Sequence, residues 1–246
     1  ICSGNTGLVR KFPHIPGIDA SGKVVYSKSN KFKVGDKVMI VARPIGVKSQ
    51  GGLSEYIKVT SEWVEKLPIG MSLKNSMIVG TAGFTAMNSV IQIIKCGLKK
   101  NSKPVLISGA SGGVGIFAII ILSKLGFNVI AATRRRDREF FLKSLGANEV
   151  ILTDEFNNQP NMPLLKIKYS AIIDNIGGEI ISLGSRQLIE GGIIASIGAT
   201  SSQICSLNIM PLILRGIKII GINAESSSDD LRKTIWRKIS KIMKQK

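Results

Sequence analysis

The sequence holds one histidine, His14, and three cysteines, Cys2, Cys96 and Cys205, in 246 residues. A catalytic zinc needs about three protein ligands and a structural zinc about four, so this inventory supports neither and no metal is expected. Three widely separated cysteines exclude a disulfide framework and fit a reducing, cytoplasmic setting. His14 stands between prolines in Phe12-Pro13-His14-Ile15-Pro16 and reads as a loop residue. Aromatic residues make up only 5%, too few for the base-stacking surface of a protein that binds single-stranded nucleic acid. Acidic residues are also scarce, 16 against 34 basic, which leaves a net charge of +18. Most of the lysines are spread singly among isoleucine and asparagine, a compositional bias that argues against a nucleic-acid partner, although the excess would suit anionic small molecules. No uninterrupted apolar run approaches the roughly 20 residues of a membrane span, and the longest candidate, Val114 to Leu122, stops at Ser123-Lys124. No membrane association is expected. The opening Ile1-Cys2-Ser3-Gly4 lacks an initiator methionine and the pattern of a signal peptide, and reads as a cut end.

Hydrophobic residues make up 44%, enough for a substantial core. In the first third, glycine and proline punctuate short β-branched runs at Lys23 to Tyr26, Lys37 to Val41, Glu55 to Val59 and Trp63 to Leu67, the pattern of a small β-rich domain. From about Met77 the period turns helical and then alternates. Helices are expected at Phe84 to Lys95, Val114 to Leu125, Arg138 to Leu145 and Ile180 to Ile189. Strands are expected at Val105 to Ser108, Asn128 to Thr133, Glu149 to Leu152, Ala171 to Asp174, Ile193 to Ile197 and Lys218 to Ile222. Six apolar strands alternating with helices specify an α/β fold, a doubly wound parallel sheet covered on both faces. Asp229 to Lys244 is a basic amphipathic helix with Leu231, Ile235, Ile239 and Ile242 on one side, expected to pack back on the body.

One loop carries the chemistry. Ser108-Gly109-Ala110-Ser111-Gly112-Gly113-Val114-Gly115 joins a buried strand to a helix, and its small residues let backbone N–H groups approach a pyrophosphate at the helix N-terminus. Aligned on the dinucleotide fingerprint it reads Ala110-x-Gly112-x-x-Gly115, with a strand before it and a helix after it, as that motif requires. Enzymes that use NAD place a carboxylate at the end of the next strand, to hold the ribose hydroxyls. Here Thr133-Arg134-Arg135-Arg136 follows instead. A carboxylate would repel a 2′-phosphate and a guanidinium can grip it with two hydrogen bonds, so the expected coenzyme is NADPH.

Further motifs occur in a recognisable order: Phe12 to Asp19, Gly80-Thr81-Ala82-Gly83-Phe84-Thr85-Ala86-Met87, the glycine loop, Leu142-Lys143-Ser144-Leu145-Gly146-Ala147, Ile173-Asp174-Asn175-Ile176-Gly177-Gly178 and Met210-Pro211-Leu212-Ile213-Leu214-Arg215. Together they resemble the YhdH/AcuI-type acrylyl-CoA reductases, in the quinone oxidoreductase branch of the medium-chain dehydrogenase/reductase superfamily. The resemblance spans nearly the whole chain. It implies a zinc-free NADPH-dependent reductase with a Rossmann domain and an incomplete GroES-like domain. The domains would be a partial GroES-like substrate domain at 1–78, an NADPH-binding domain at 79–225 and the start of a C-terminal return segment at 226–246, the chain being cut at both ends. By the same resemblance Ser111, Gly112, Gly113 and Val114 would hold the pyrophosphate, Thr133, Arg134 and Arg135 the 2′-phosphate, and Ala199 and Ile213 the nicotinamide half, with Thr81 nearby. The Asn-Tyr-Lys-Asp segment that lines the family's active site would fall ahead of Ile1, so no catalytic residue is assigned. A homodimer is implied for the full-length protein.

Three functions stand on these grounds. The first is NADPH-dependent reduction of the activated C=C bond of an enoyl thioester such as acrylyl-CoA. The second is the same scaffold acting on quinones or small enones, and the third is a non-catalytic protein that binds cofactor or RNA.

Overall fold

Three short strands open the described chain: β1 (Ala20–Lys23), β2 (Lys37–Ile40) and β3 (Glu65–Lys66), antiparallel in the order β1-β2-β3. The computed structural model describes residue 9 and residues 11–244. β1 lies earlier than the Lys23 to Tyr26 expectation because the chain turns at Val24, whose N–H donates to Asp36 O and whose carbonyl accepts from Gly35, leaving Val25 and Tyr26 exposed. The alternating run Glu55 to Val59 forms no strand; Tyr56 is exposed, and alternation without a partner edge gives the backbone nothing to pair with. At Trp63 a 3-10 turn (Ser61–Trp63), started by the Thr60 hydroxyl accepting from the Glu62 N–H, delays the strand to Glu65.

α1 (Leu73–Lys95) begins eleven residues before the expected start and is kinked at Gly80, where φ 47° and ψ −157° leave helical space. A Cβ there would stand 2.6 Å from Asp19 Oδ2. Asp19 uses that space to restart the helix: its carboxylate accepts the Thr81 N–H at 2.8 Å and the Thr81 hydroxyl at 2.6 Å, and Thr81 Oγ1 in turn accepts from the Ala42 N–H at 3.0 Å. α1 is also long and apolar enough to cross a membrane by length and composition, which the search for uninterrupted runs missed because Asn88 and Gln92 break the run without lowering its average. Of its most apolar stretch, 67% is buried inside the protein.

The six-stranded sheet follows: β4 (Val105–Ile107), α2 (Gly113–Lys124), β5 (Val129–Thr133), α3 (Glu139–Ser144), β6 (Glu149–Leu152), α4 (Thr153–Asn157), β7 (Tyr169–Asp174), α5 (Glu179–Ser185), β8 (Leu188–Ser196), α6 (Met210–Arg215) and β9 (Lys218–Gly221). All neighbours are parallel, in the order β6-β5-β4-β7-β8-β9. Leu106, Ile130, Ala132, Ile172 and Ile194 enter one buried cluster, with Phe156 and Ile180 packed over it. Their neighbours Val105, Ile107, Val129, Ala131, Ile173 and Ile193 are buried as well, which is why these strands read as continuous apolar runs. α5 ends four residues before Ile189, and β8 begins five residues before Ile193. Leu188 pairs with Tyr169 across a register irregularity, so the apolar run feeds the sheet where the helical period suggested more helix.

α7 (Asp229–Lys244) closes the chain. The fold divides into two compact units, Ile1–Phe84 with Ala224–Lys246, and Thr85–Asn223, so α7 belongs with the three-stranded sheet. Ile235 and Ile239 are buried as the helical period anticipates, and so are Trp236 and the fully buried Arg232. The Arg232 guanidinium donates to Val41 O (2.5 Å) and Ala42 O (3.4 Å), pairs with Glu65 (2.6 and 3.2 Å) and lies 4.7 Å over the Phe84 ring.

Candidate coenzyme site

The glycine loop leaves the C-terminal end of β4, where open parallel sheets bind their ligands. Gly109 takes φ 54°, with Ile176 and Asn175 packed against the side a Cβ would occupy. Gly115, in the first turn of α2, lies so close to the loop that a Cβ would come within 2.6 Å of Gly109 O and 2.7 Å of Ala110 Cα. This glycine sets the contact between helix and strand. Gly112 caps α2 in an extended conformation with no side-chain hydrogen bond to the helix end. Gly112 and Gly113 are exposed, and Ser111 and Val114 are half-buried. The helix-end N–H groups are thus left to an anion by the absence of a competing side chain.

At the end of β5, Thr133 is buried and its hydroxyl lies 3.3 Å from Ser111 Oγ, joining the glycine loop to the next strand. Thr133 Oγ1 also accepts from the Arg135 N–H at 3.1 Å, which bends the chain outward. Arg134 and Arg135 are both exposed. Arg135 is held through two hydrogen bonds, Nε at 3.3 Å and an Nη at 2.8 Å, to Asp137, whose carboxyl sits below the usual range mainly because of that bond. Asp137, a residue the sequence reading passed over, therefore competes with any phosphate for Arg135. An exposed pair of this kind is weak, so Asp137→Asn should tighten binding of a 2′-phosphorylated coenzyme only about threefold and leave NADH unchanged, as read by fluorescence titration.

β7 ends at the point where strand order reverses. Asp174 is fully buried, accepts from Ser108 Oγ (2.6 Å) and from the N–H groups of Ile176 (3.2 Å) and Gly177 (2.9 Å), and burial holds its carboxyl above the usual range. Ser108 Oγ accepts in turn from the Asn175 N–H at 2.9 Å. This knot fixes the C-terminal ends of β4 and β7 against each other.

Two family models match the chain. Residues 1–69 match the alcohol dehydrogenase GroES-like domain, and residues 113–241 match the family described as zinc-binding dehydrogenase. The acrylyl-CoA reductase AcuI of Ruegeria pomeroyi is 36% identical over 98% of this chain and 73% of its own. The chain belongs to the acrylyl-CoA reductase and quinone oxidoreductase branch of the medium-chain dehydrogenase/reductases.

Two crystal structures from that branch match with a TM-score of 0.93: YhdH of Salmonella enterica in complex with NADP, at 35% identity over 97% of this chain and 73% of its own, and YhfP of Bacillus subtilis with NAD bound, at 37% over 97% and 72%. The branch thus contains proteins crystallised with either coenzyme. The matched family's description mentions zinc, yet among the described residues no group of three or more His, Cys, Asp or Glu side chains comes together. His14 instead donates through Nε2 to Gly46 O at 3.0 Å.

The remaining sequence-selected residues are spread more widely. Ala199 is exposed, in the segment after β8, and its Cα lies 3.2 Å from where a Gly177 Cβ would be, which sets it beside the end of β7. Ile213 lies on α6 and is 64% exposed. A cavity of about 420 Å³ in the same unit, lined by Pro104, Ile151 and Tyr169 among others, opens near the starts of β4 and β7, the end opposite the loop. In the other unit, a cavity of about 940 Å³ is lined by Trp63, Trp236, Arg43 and Arg237 among others, none of them a candidate coenzyme residue.

Proposed function

We propose that this chain binds NADPH and reduces the activated C=C bond of a small enoyl thioester of the acrylyl-CoA type. The observation that carries the reading is the end of β5, where Thr133 turns two exposed arginines outward and the ribose-binding carboxylate of an NAD enzyme is replaced by Arg134. The uncapped start of α2 supports a pyrophosphate next to it, and the exposed Gly112 and Gly113 put no side chain in the way of its approach. Bound NADPH supplies a hydride from nicotinamide C4. The chain's part is to bind and orient: Ser111 to Val114 take the pyrophosphate, Thr133, Arg134 and Arg135 the 2′-phosphate, and Ala199 and Ile213 flank the nicotinamide half. Holding donor and acceptor carbons near contact distance is the main catalytic task of such a scaffold.

The thioester substrate is favoured by similarity to proteins named as acrylyl-CoA reductases at 34–36% identity across nearly the whole chain. Relatives whose names include quinone oxidoreductase, among them YhfP of Bacillus subtilis at 38% identity and one of Sus scrofa at 28%, favour a second reading, reduction of quinones or small enones. Loss of NADPH absorbance, measured separately with acrylyl-CoA and a simple quinone, separates the two. The first reading expects kcat/KM for acrylyl-CoA to exceed that for the quinone at least tenfold. The reverse order supports the second, and no turnover of either by a protein that retains RNA at physiological salt would support a non-catalytic role.

A further inference from the structure

The switch point between β4 and β7 contains a polar atom that the fold leaves without use. Asn175, directly after β7, donates through Nδ2 to Ser108 O at 2.7 Å. That bond fixes the amide orientation, because a flipped carboxamide would set its oxygen against a carbonyl. Oδ1 is therefore the free end of the side chain; it is buried and has no hydrogen-bond partner. The surrounding polar groups are already engaged. Ser108 Oγ donates to Asp174 and accepts from the Asn175 N–H, and the N–H groups of Ile176 and Gly177 donate to Asp174. Gly109 and Gly198 both pack against Asn175, and neither could carry a Cβ without crowding it. A buried carbonyl oxygen without a donor is costly, and native proteins that retain one generally give it a donor from outside the chain.

The direction of a bound dinucleotide identifies that donor. The end of β5 faces the adenosine and the start of α2 the pyrophosphate, and β7 lies on the other side of β4 from β5. The ligand portion that reaches β7 is therefore the nicotinamide half. Phosphate oxygens only accept hydrogen bonds, which leaves the hydroxyls of the second ribose and the carboxamide NH₂ as donors. We infer that Asn175 is a coenzyme-positioning residue whose Oδ1 accepts a hydrogen bond from the nicotinamide nucleoside half of the bound dinucleotide. Its Ser108 anchor gives that acceptor a fixed direction, so the bond orients the nicotinamide end as well as holding it. This inference rests on the coenzyme reading above and adds to it a contact at the opposite end of the ligand.

The test compares two ligands on three proteins. NADPH spans the whole site, and adenosine 2′,5′-bisphosphate has the phosphorylated adenosine but no nicotinamide half. Asn175→Ala should weaken NADPH about tenfold while binding the bisphosphate within about twofold of the unsubstituted protein, which also shows that the variant is folded. Asn175→Thr, which restores a hydroxyl acceptor on a shorter side chain, should recover part of the lost NADPH affinity. Unchanged NADPH binding by Asn175→Ala overturns the inference, as does an equal loss of both ligands in both variants, the signature of a purely structural residue. If the unsubstituted protein binds neither ligand, it is the coenzyme assignment that fails.

Discussion

Replacing Arg134 and Arg135 together with alanine is expected to weaken NADPH binding about a hundredfold while NADH binding stays within about twofold. The size follows from the chemistry: a charge-assisted hydrogen bond to phosphate is worth roughly 1.5–3 kcal/mol, and exposure of both side chains places each arginine near the lower end. Arg135→Ala alone should cost less, about tenfold, because Asp137 already occupies its guanidinium in the free protein and part of its interaction with phosphate is offset by the bond that must be given up. Equilibrium titration with both coenzymes reads the result directly. The difference between them isolates the 2′-phosphate, since every other contact is common to both.

The largest stability effect should come from a residue far from the coenzyme. Glu65→Ala should destabilise the unit of Ile1–Phe84 and Ala224–Lys246 by about 3 kcal/mol, because it leaves the guanidinium of Arg232 buried without its counter-charge. The Arg232 side chain is fully buried and that of Glu65 is 18% exposed, so the arginine has no route to water when its partner is removed. Urea denaturation followed by Trp63 and Trp236 fluorescence measures the loss, as a fall in midpoint at constant slope. The double variant Glu65→Ala with Arg232→Met should recover about 2 kcal/mol relative to the sum of the single changes, since a buried charge is costly mainly when its partner alone is taken away.

The parallel sheet was legible because burial on both faces writes itself as continuous apolar runs. β5 and β6 fall within one residue of the expected bounds, and α2 differs by one. The small β unit was harder to read. Its strands are short and half-exposed, so a run such as Glu55 to Val59 carries the same alternation as a true strand, and only the pairing partner distinguishes them. The expected helix start at Phe84 left out the first eleven residues of α1, because Gly80 interrupts the helix and only Asp19, some sixty residues earlier, caps the restart and lets it continue through the break. The glycine loop and the arginines were legible from local spacing alone. Asp137 could have been found two residues beyond Arg135, a separation at which a carboxylate can fold back on a guanidinium. Asn175 was visible as part of a motif, but its unused oxygen appears only once Ser108 is seen to take the other end of the amide. Arg232 could not be recognised as a buried cation from sequence, because it sits in a helix rich in exposed lysine and its partners lie about 170 and 190 residues away in the chain.

The central claim is that a 2′-phosphorylated adenosine rests against Thr133, Arg134 and Arg135. Titrating the purified chain with NADPH and NADH in parallel, by the change in nicotinamide fluorescence, tests it most directly. The expected result is saturable binding of both, with NADPH tighter by at least tenfold and the preference shrinking as salt is raised. Equal affinities, or a preference for NADH, would contradict it.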